Sequence, residues 1–193
     1  MKTSQKILVF FAKILSAFYL RCGVYLLWST IHRLTADRKW KDVVLHKYNT
    51  IEEAAAKMRT FTWIKDDASE LFDAICTPQK VQAVGFDGSS PHGNDCDEEA
   101  IYLTNTLEVE GVTPHFFTVT WYDPEINKWG GHNVCLLESL EGWRYMDYGM
   151  PSKFYSSPRE VAELVIRDYA KQAIMITACI SKKNLFPVKI IIG

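Results

Sequence analysis

The chain has 193 residues, of which 48% are hydrophobic, 13% aromatic and 23% charged. That suits one domain with its own core and excludes collagen-like, low-complexity and wholly disordered chains. Lys and Arg (22) nearly cancel Asp and Glu (23), so no overall field draws the protein to nucleic acid. The charge is unevenly spread: residues 1–48 are net +7 and residues 49–193 net −8. Cys22, Cys76, Cys96, Cys135 and Cys179 form no CxxC pair. Their spacing fits neither a disulfide framework nor a ribbon-type zinc site and favours a reducing, cytoplasmic setting.

Residues 1–48 form an apolar, basic, helical segment. The stretch 7–31 is broken only by Lys13 and Arg21. On a helix, Lys2, Lys6, Lys13, Arg21 and His32 gather in a stripe about 120° wide. Three readings stand side by side. A membrane span needs ~20 apolar residues, which the stretch supplies. An interfacial helix would set the basic stripe against anionic headgroups, with Phe10, Phe11, Phe18 and Trp28 below. A third option is a helix that covers an apolar face of the domain. The stretch reads poorly as a secretion signal, because Lys13 interrupts it and no small-x-small cleavage site follows. The expectation is a cytoplasmic protein, with a membrane surface as the competing partner of this segment.

Residues 49–193 read as the main domain. Thr50-Ile51-Glu52-Glu53 is a capping box that opens a helix to about Arg59. Phe61–Ile64 suggests a short strand, and Ala68–Ile75 a helix ended by Pro78. Residues 85–95 hold three glycines, a proline and two serines and form a loop. Helical spacing returns from Cys96 through Ala100, Ile101, Leu103 and Leu107. Beyond Gly111 the period becomes two, giving strands at His115–Tyr122, His132–Glu138 and Trp143–Asp147 in an antiparallel meander. Ser157-Pro158-Arg159-Glu160 caps a helix to about Ala173. Strands near Ile174–Ile180 and Val188–Ile192 finish the sheet, an α+β layout.

The chemistry gathers around Cys96. It follows a glycine-rich loop at the first turn of a helix, where unpaired N–H groups and the helix dipole favour a thiolate and can hold an oxyanion. A lone cysteine after a turn is more often a buried structural residue, and Asp97, Glu98 and Glu99 oppose thiolate formation, so a base is needed. His132 opens one strand and Asp147 ends the next. Adjacent antiparallel strands lie about 5 Å apart, so a carboxylate on one can orient an imidazole on the other. An imidazole so held can take the thiol proton. Zinc binding by His92, Cys96, His115 and His132 and a calcium loop at Asp95, Asp97 and Glu99 fit their spacings poorly; no cofactor or metal is expected.

Three segments carry a family resemblance: the helix start Gly-x-Asp-Cys-acid-acid-x-Ala (Gly93 to Ala100), the Gly-Gly-His strand opening (Gly131, His132, Val134), and Trp-x-x-hydrophobic-Asp (Trp143 to Asp147). Over residues 49–155 the chain resembles the transglutaminase-like branch of the papain-fold cysteine enzymes. The resemblance implies a papain-like domain with its nucleophile at a helix N-terminus packed on an antiparallel sheet. It implies Cys96 as nucleophile, His132 as base and then acid, and Asp147 as orienting group. It further implies acyl-thioester chemistry on an amide of a protein or peptide substrate, either hydrolysis or transfer. Trp63, Gln79 and Gln82 are the candidates for an oxyanion-hole side chain. The alternative is a catalytically inactive binding module of the same fold.

Overall fold

The computed structural model describes residues 2–21, 24–64, 75–89 and 95–193. Helices come first: α1 (Thr3–Arg21), α2 (Val24–Thr35), α3 (Ile51–Met58), α4 (Pro78–Val84) and α5 (Cys96–Thr106). Strands β1 (Thr113–Asp123), β2 (Lys128–Ser139), β3 (Gly142–Asp147) and β4 (Met150–Pro151) follow, then α6 (Pro158–Tyr169), β5 (Ile174–Ser181) and β6 (Pro187–Ile192). The strands form one antiparallel sheet in the order β4-β3-β2-β1-β5-β6. The architecture is α+β, with the expected meander β1-β2-β3 on one side of the sheet.

Strand alternation builds a core on each face. Phe116, Cys135, Leu137 and Met146 point toward α3 and α5, where they meet Ala54, Ala55, Met58, Ala100, Ile101 and Leu103. Phe117, Val119, Val134 and Leu136 point the other way, onto Val161, Ala162 and Val165 of α6. Helices as short as α3 and α4 do not persist alone in water. Burial of such side chains, about 1.5–3 kcal/mol each, fixes the position of α5 and therefore of Cys96.

Caps set the helix boundaries. The Thr50 side chain accepts from Glu53 N at 3.1 Å, and the Ser157 side chain accepts from Glu160 N at 3.2 Å, both as the sequence indicates. Pro78 opens α4, capped by Thr77, whose side chain accepts from Lys80 N at 3.2 Å. Proline suits this position because its missing N–H would be unpaired there in any case. Residues 68–74 of the helix expected before it lie outside the described residues. Phe61, Thr62 and Trp63 are irregular, with a single bridge residue at Ile64 in place of a strand.

The apolar stretch 7–31 divides into two helices, α1 ending at Arg21 and α2 starting at Val24. None of the described helices is long and apolar enough to cross a membrane. α1 lies against β5 and the end of β1: Val9 packs on Tyr122 and Ile176, and Ser16 Oγ is 2.8 Å from Thr177 Oγ1. Gln5 Nε2 donates to the Pro124 carbonyl at 3.2 Å, and the Lys13 ammonium donates to the Gly193 carbonyl.

Candidate active site

Cys96 is half-buried at the first position of α5. Asp95 is the N-cap: its side chain accepts from Asp97 N at 3.2 Å, while the Glu98 carboxylate accepts from Asp95 N at 3.1 Å. The reciprocal pair is a capping box that fixes the entry of the chain into the helix. Asp95, Asp97 and Glu98 each offer an oxygen within 4.8 Å of the others; the cap accounts for the placement of Asp95 and Glu98.

The three acids that follow Cys96 are buried behind it. Glu98 Oε1 lies 3.8 Å from Lys80 Nζ, with both side chains almost fully buried. Burial alone would lower the Lys80 ammonium, but Cys76, Glu98, Asp37 and Asp97 around it hold it above its ordinary value. Glu99 Oε1 accepts from Gly149 N at 2.9 Å. Burial pushes its carboxyl up to about 7, with Asp147 adding to the rise. Glu99 therefore stays largely uncharged in mildly acidic solution and only partly charged near neutrality, and Glu98 has a cation beside it. Much of the negative charge facing Cys96 in the sequence is offset in the fold.

His132 and Asp147 are brought together as their strands predict. Imidazole Nε2 is 3.0 Å from Asp147 Oδ1; the His132 side chain is 5% exposed and that of Asp147 17%. A third group, missed in the sequence, joins them. Tyr169 Oη at the end of α6 lies 2.9 Å from His132 Nε2 and donates to Asp147 Oδ2 at 3.1 Å. The Tyr169 and His132 rings meet at 4.3 Å between centroids. With Nε2–H directed at Asp147 and Tyr169, a neutral imidazole carries its lone pair on Nδ1. Burial raises the Tyr169 hydroxyl well above its ordinary range, and Asp147 adds to this, so it remains a protonated donor.

The β3–β4 turn closes this end of the site. Asp147 pairs with Met150 across Tyr148 and Gly149, and both turn residues have positive φ, 50° and 65°, as a type I′ hairpin requires. For a tyrosine that conformation is strained. Tyr148 stacks on His132 with centroids 6.2 Å apart. Burial raises its hydroxyl pKa, with Tyr169, Asp147 and Cys96 all within electrostatic range.

Cys96 Sγ itself lies 3.9 Å from Asn133 Nδ2. Consecutive strand residues point to opposite faces, so Asn133 leaves β2 toward α5, with Cys135 and Leu137. His132 leaves toward α6, with Val134 and Leu136. Of the oxyanion candidates, Gln82 is committed elsewhere, accepting from His46 N at 2.6 Å and donating to the Val44 carbonyl. Trp63 is exposed and Gln79 half-buried. Asn133, whose Oδ1 is buried with no hydrogen-bond partner among the described residues, is the amide that the fold brings to the sulfur. Gly93, Asn94 and His92 lie outside the described residues. His115 pairs with Glu138 at 2.9 Å.

No family model, curated protein or solved structure matches the chain.

Proposed function

We propose that this protein carries out thiol-dependent amide-bond chemistry on a protein or peptide substrate, with Cys96 as nucleophile and the His132–Asp147 pair as its base, in a papain-like, transglutaminase-like arrangement. The 3.0 Å bond between His132 Nε2 and Asp147 Oδ1 is the observation that carries this reading. In the proposed reaction Nδ1 takes the Cys96 proton, and the thiolate attacks the amide carbonyl. The first N–H groups of α5 and Asn133 Nδ2 receive the developing oxyanion. The imidazolium then protonates the leaving amine, and a thioester remains for water or an amine to resolve. No described residue excludes an amine as acceptor, and water is the default one.

A binding module without catalysis is the second reading. It is favoured by strand alternation, which puts Asn133 rather than His132 on the face of β2 that meets α5. The pH dependence of Cys96 alkylation by iodoacetamide separates the two. An activated thiol reacts at pH 6 nearly as fast as at pH 9, and loses that reactivity in His132→Ala. A rate that rises only above about pH 8.5, as for an isolated thiol, supports the binding module. Release of amine or ammonia from peptide amides, absent in Cys96→Ala, then establishes the reaction.

A further inference from the structure

Helices α1 and α2 expose most of their large apolar side chains: apart from Val9 and the small Ala12 and Ala17, α1 meets the protein with polar groups. On α1, Gln5, Lys13 and Ser16 bond to Pro124, Gly193 and Thr177, while Ile7, Phe10, Phe11, Ile14 and Leu15 are 51–65% exposed. On α2, Ser29 is buried and Arg33 donates to the Ile75 and Cys76 carbonyls, while Leu27, Ile31 and Leu34 are 45–69% exposed. An amphipathic helix that covers a soluble domain has the opposite orientation, and contiguous apolar surface of this kind marks a contact with a partner or a lipid phase.

We infer that the outer faces of α1 and α2 dock on an anionic lipid surface, lying in the interface without crossing it. Charge selects this occupant over a second copy of the chain. Residues 1–36 contain Lys2, Lys6, Lys13, Arg21 and Arg33 and no Asp or Glu, and Lys2 and Lys6 are exposed. A two-fold contact between two such segments would set like charges together, whereas anionic headgroups neutralise them. The rest of the chain orients the approach: residues 49–193 are net −8 and are repelled by the same surface, so the helices arrive first. The basic side of α1 does not face the headgroups as the sequence stripe suggests. Its lysines flank the apolar face and the apolar face itself enters the interface.

Vesicle flotation of the full chain tests the assignment. The protein is expected to float with phosphatidylcholine vesicles containing 30% phosphatidylglycerol and to float at least tenfold less with phosphatidylcholine alone or in 1 M salt. Phe11→Asp combined with Ile14→Asp changes two exposed side chains, so the circular dichroism spectrum and unfolding midpoint stay as in the wild type while flotation falls at least tenfold. Absence of flotation with either vesicle overturns the inference, as does equal flotation with neutral vesicles or undiminished flotation of the double variant. A wild-type dimer that the double variant dissociates, without vesicle binding, overturns it in favour of a second copy.

Discussion

His132 and Tyr169 meet ring to ring, with Tyr169 Oη 2.9 Å from imidazole Nε2, so the imidazole that pairs with Asp147 is held from α6 as well as from the sheet. The contact joins the end of a helix on one face of the sheet to the strand pair β2–β3. It limits rotation of the ring and leaves Nδ1 as the nitrogen able to exchange a proton.

Tyr169→Phe removes the hydroxyl and keeps the ring. One partly exposed hydrogen-bonding group contributes about 1 kcal/mol net, so the unfolding free energy falls by no more than that. The alkylation rate of Cys96 at pH 6 falls by about tenfold, equivalent to about 1.4 kcal/mol, because the imidazole loses one of its two anchors. Urea unfolding and alkylation kinetics on the same preparation read the two effects separately, and a parallel loss of both would make Tyr169 a purely structural residue.

Alkylation also distinguishes the thiols. Cys76 and Cys135 are fully buried; burial pushes the Cys76 thiol well up and the Cys135 thiol to about 12. Cys96 is half-buried at a helix N-terminus. At pH 7 the native protein is therefore expected to take iodoacetamide at Cys96 at least about tenfold faster than at Cys76 or Cys135, with the preference lost in 8 M urea. Mass spectrometry of tryptic peptides measures the three rates, and comparable native rates would contradict the burial argument.

The meander and both edges of the site were readable because they depend on local signals: period-two alternation from His115 to Asp147, and caps at Thr50 and Ser157. The cap at Thr77-Pro78 is an equally local signal, and it opens a helix, Pro78–Val84, that the sequence reading did not include. Tyr169 and Asn133 could not be found in the same way. One reaches His132 from α6 across 37 positions, and the other owes its place beside Cys96 to strand parity. The neutralisation of the acids after Cys96 was equally hidden, since it depends on Lys80 and on the Gly149 N–H, both distant in sequence. The sequence left the setting of α1 open among three readings, because hydrophobic patterning shows where a helix is apolar without showing which side meets the domain.

Gly149 has φ +65°, and a Cβ there would lie 2.8 Å from the Ala55 carbonyl oxygen and 2.9 Å from Arg59 N. Those atoms are backbone and cannot rotate away. Gly149→Ala combines left-handed strain with overpacking, each about 1–3 kcal/mol, and is expected to destabilise the protein by about 2–4 kcal/mol. It also moves the N–H that Glu99 accepts and shifts the adjacent Asp147. Denaturant unfolding checks the magnitude, and a loss under about 0.5 kcal/mol, the range of ordinary surface substitutions, would mean that the turn adapts freely.

Glu99 makes stability depend on pH in the direction opposite to that of a salt-bridged acid. Its carboxyl is pushed up to about 7 in the folded protein, against about 4.3 in an unfolded chain. Between those values the unfolded state has released a proton that the folded state retains, so this group lowers stability as pH rises and has no further effect above about 7. The contribution amounts to about 4 kcal/mol at 1.36 kcal/mol per pH unit, most of it falling between pH 5 and pH 7. Glu99→Gln keeps an oxygen to accept from Gly149 N and removes the ionisation. Relative to wild type, the variant should gain up to about 3 kcal/mol between pH 5 and pH 8, while Cys96 alkylation is retained. Urea unfolding of both proteins at half-unit pH steps measures the difference. A difference constant across that range would mean that Glu99 ionises in the folded protein as readily as in water and that its charge still opposes a thiolate at Cys96.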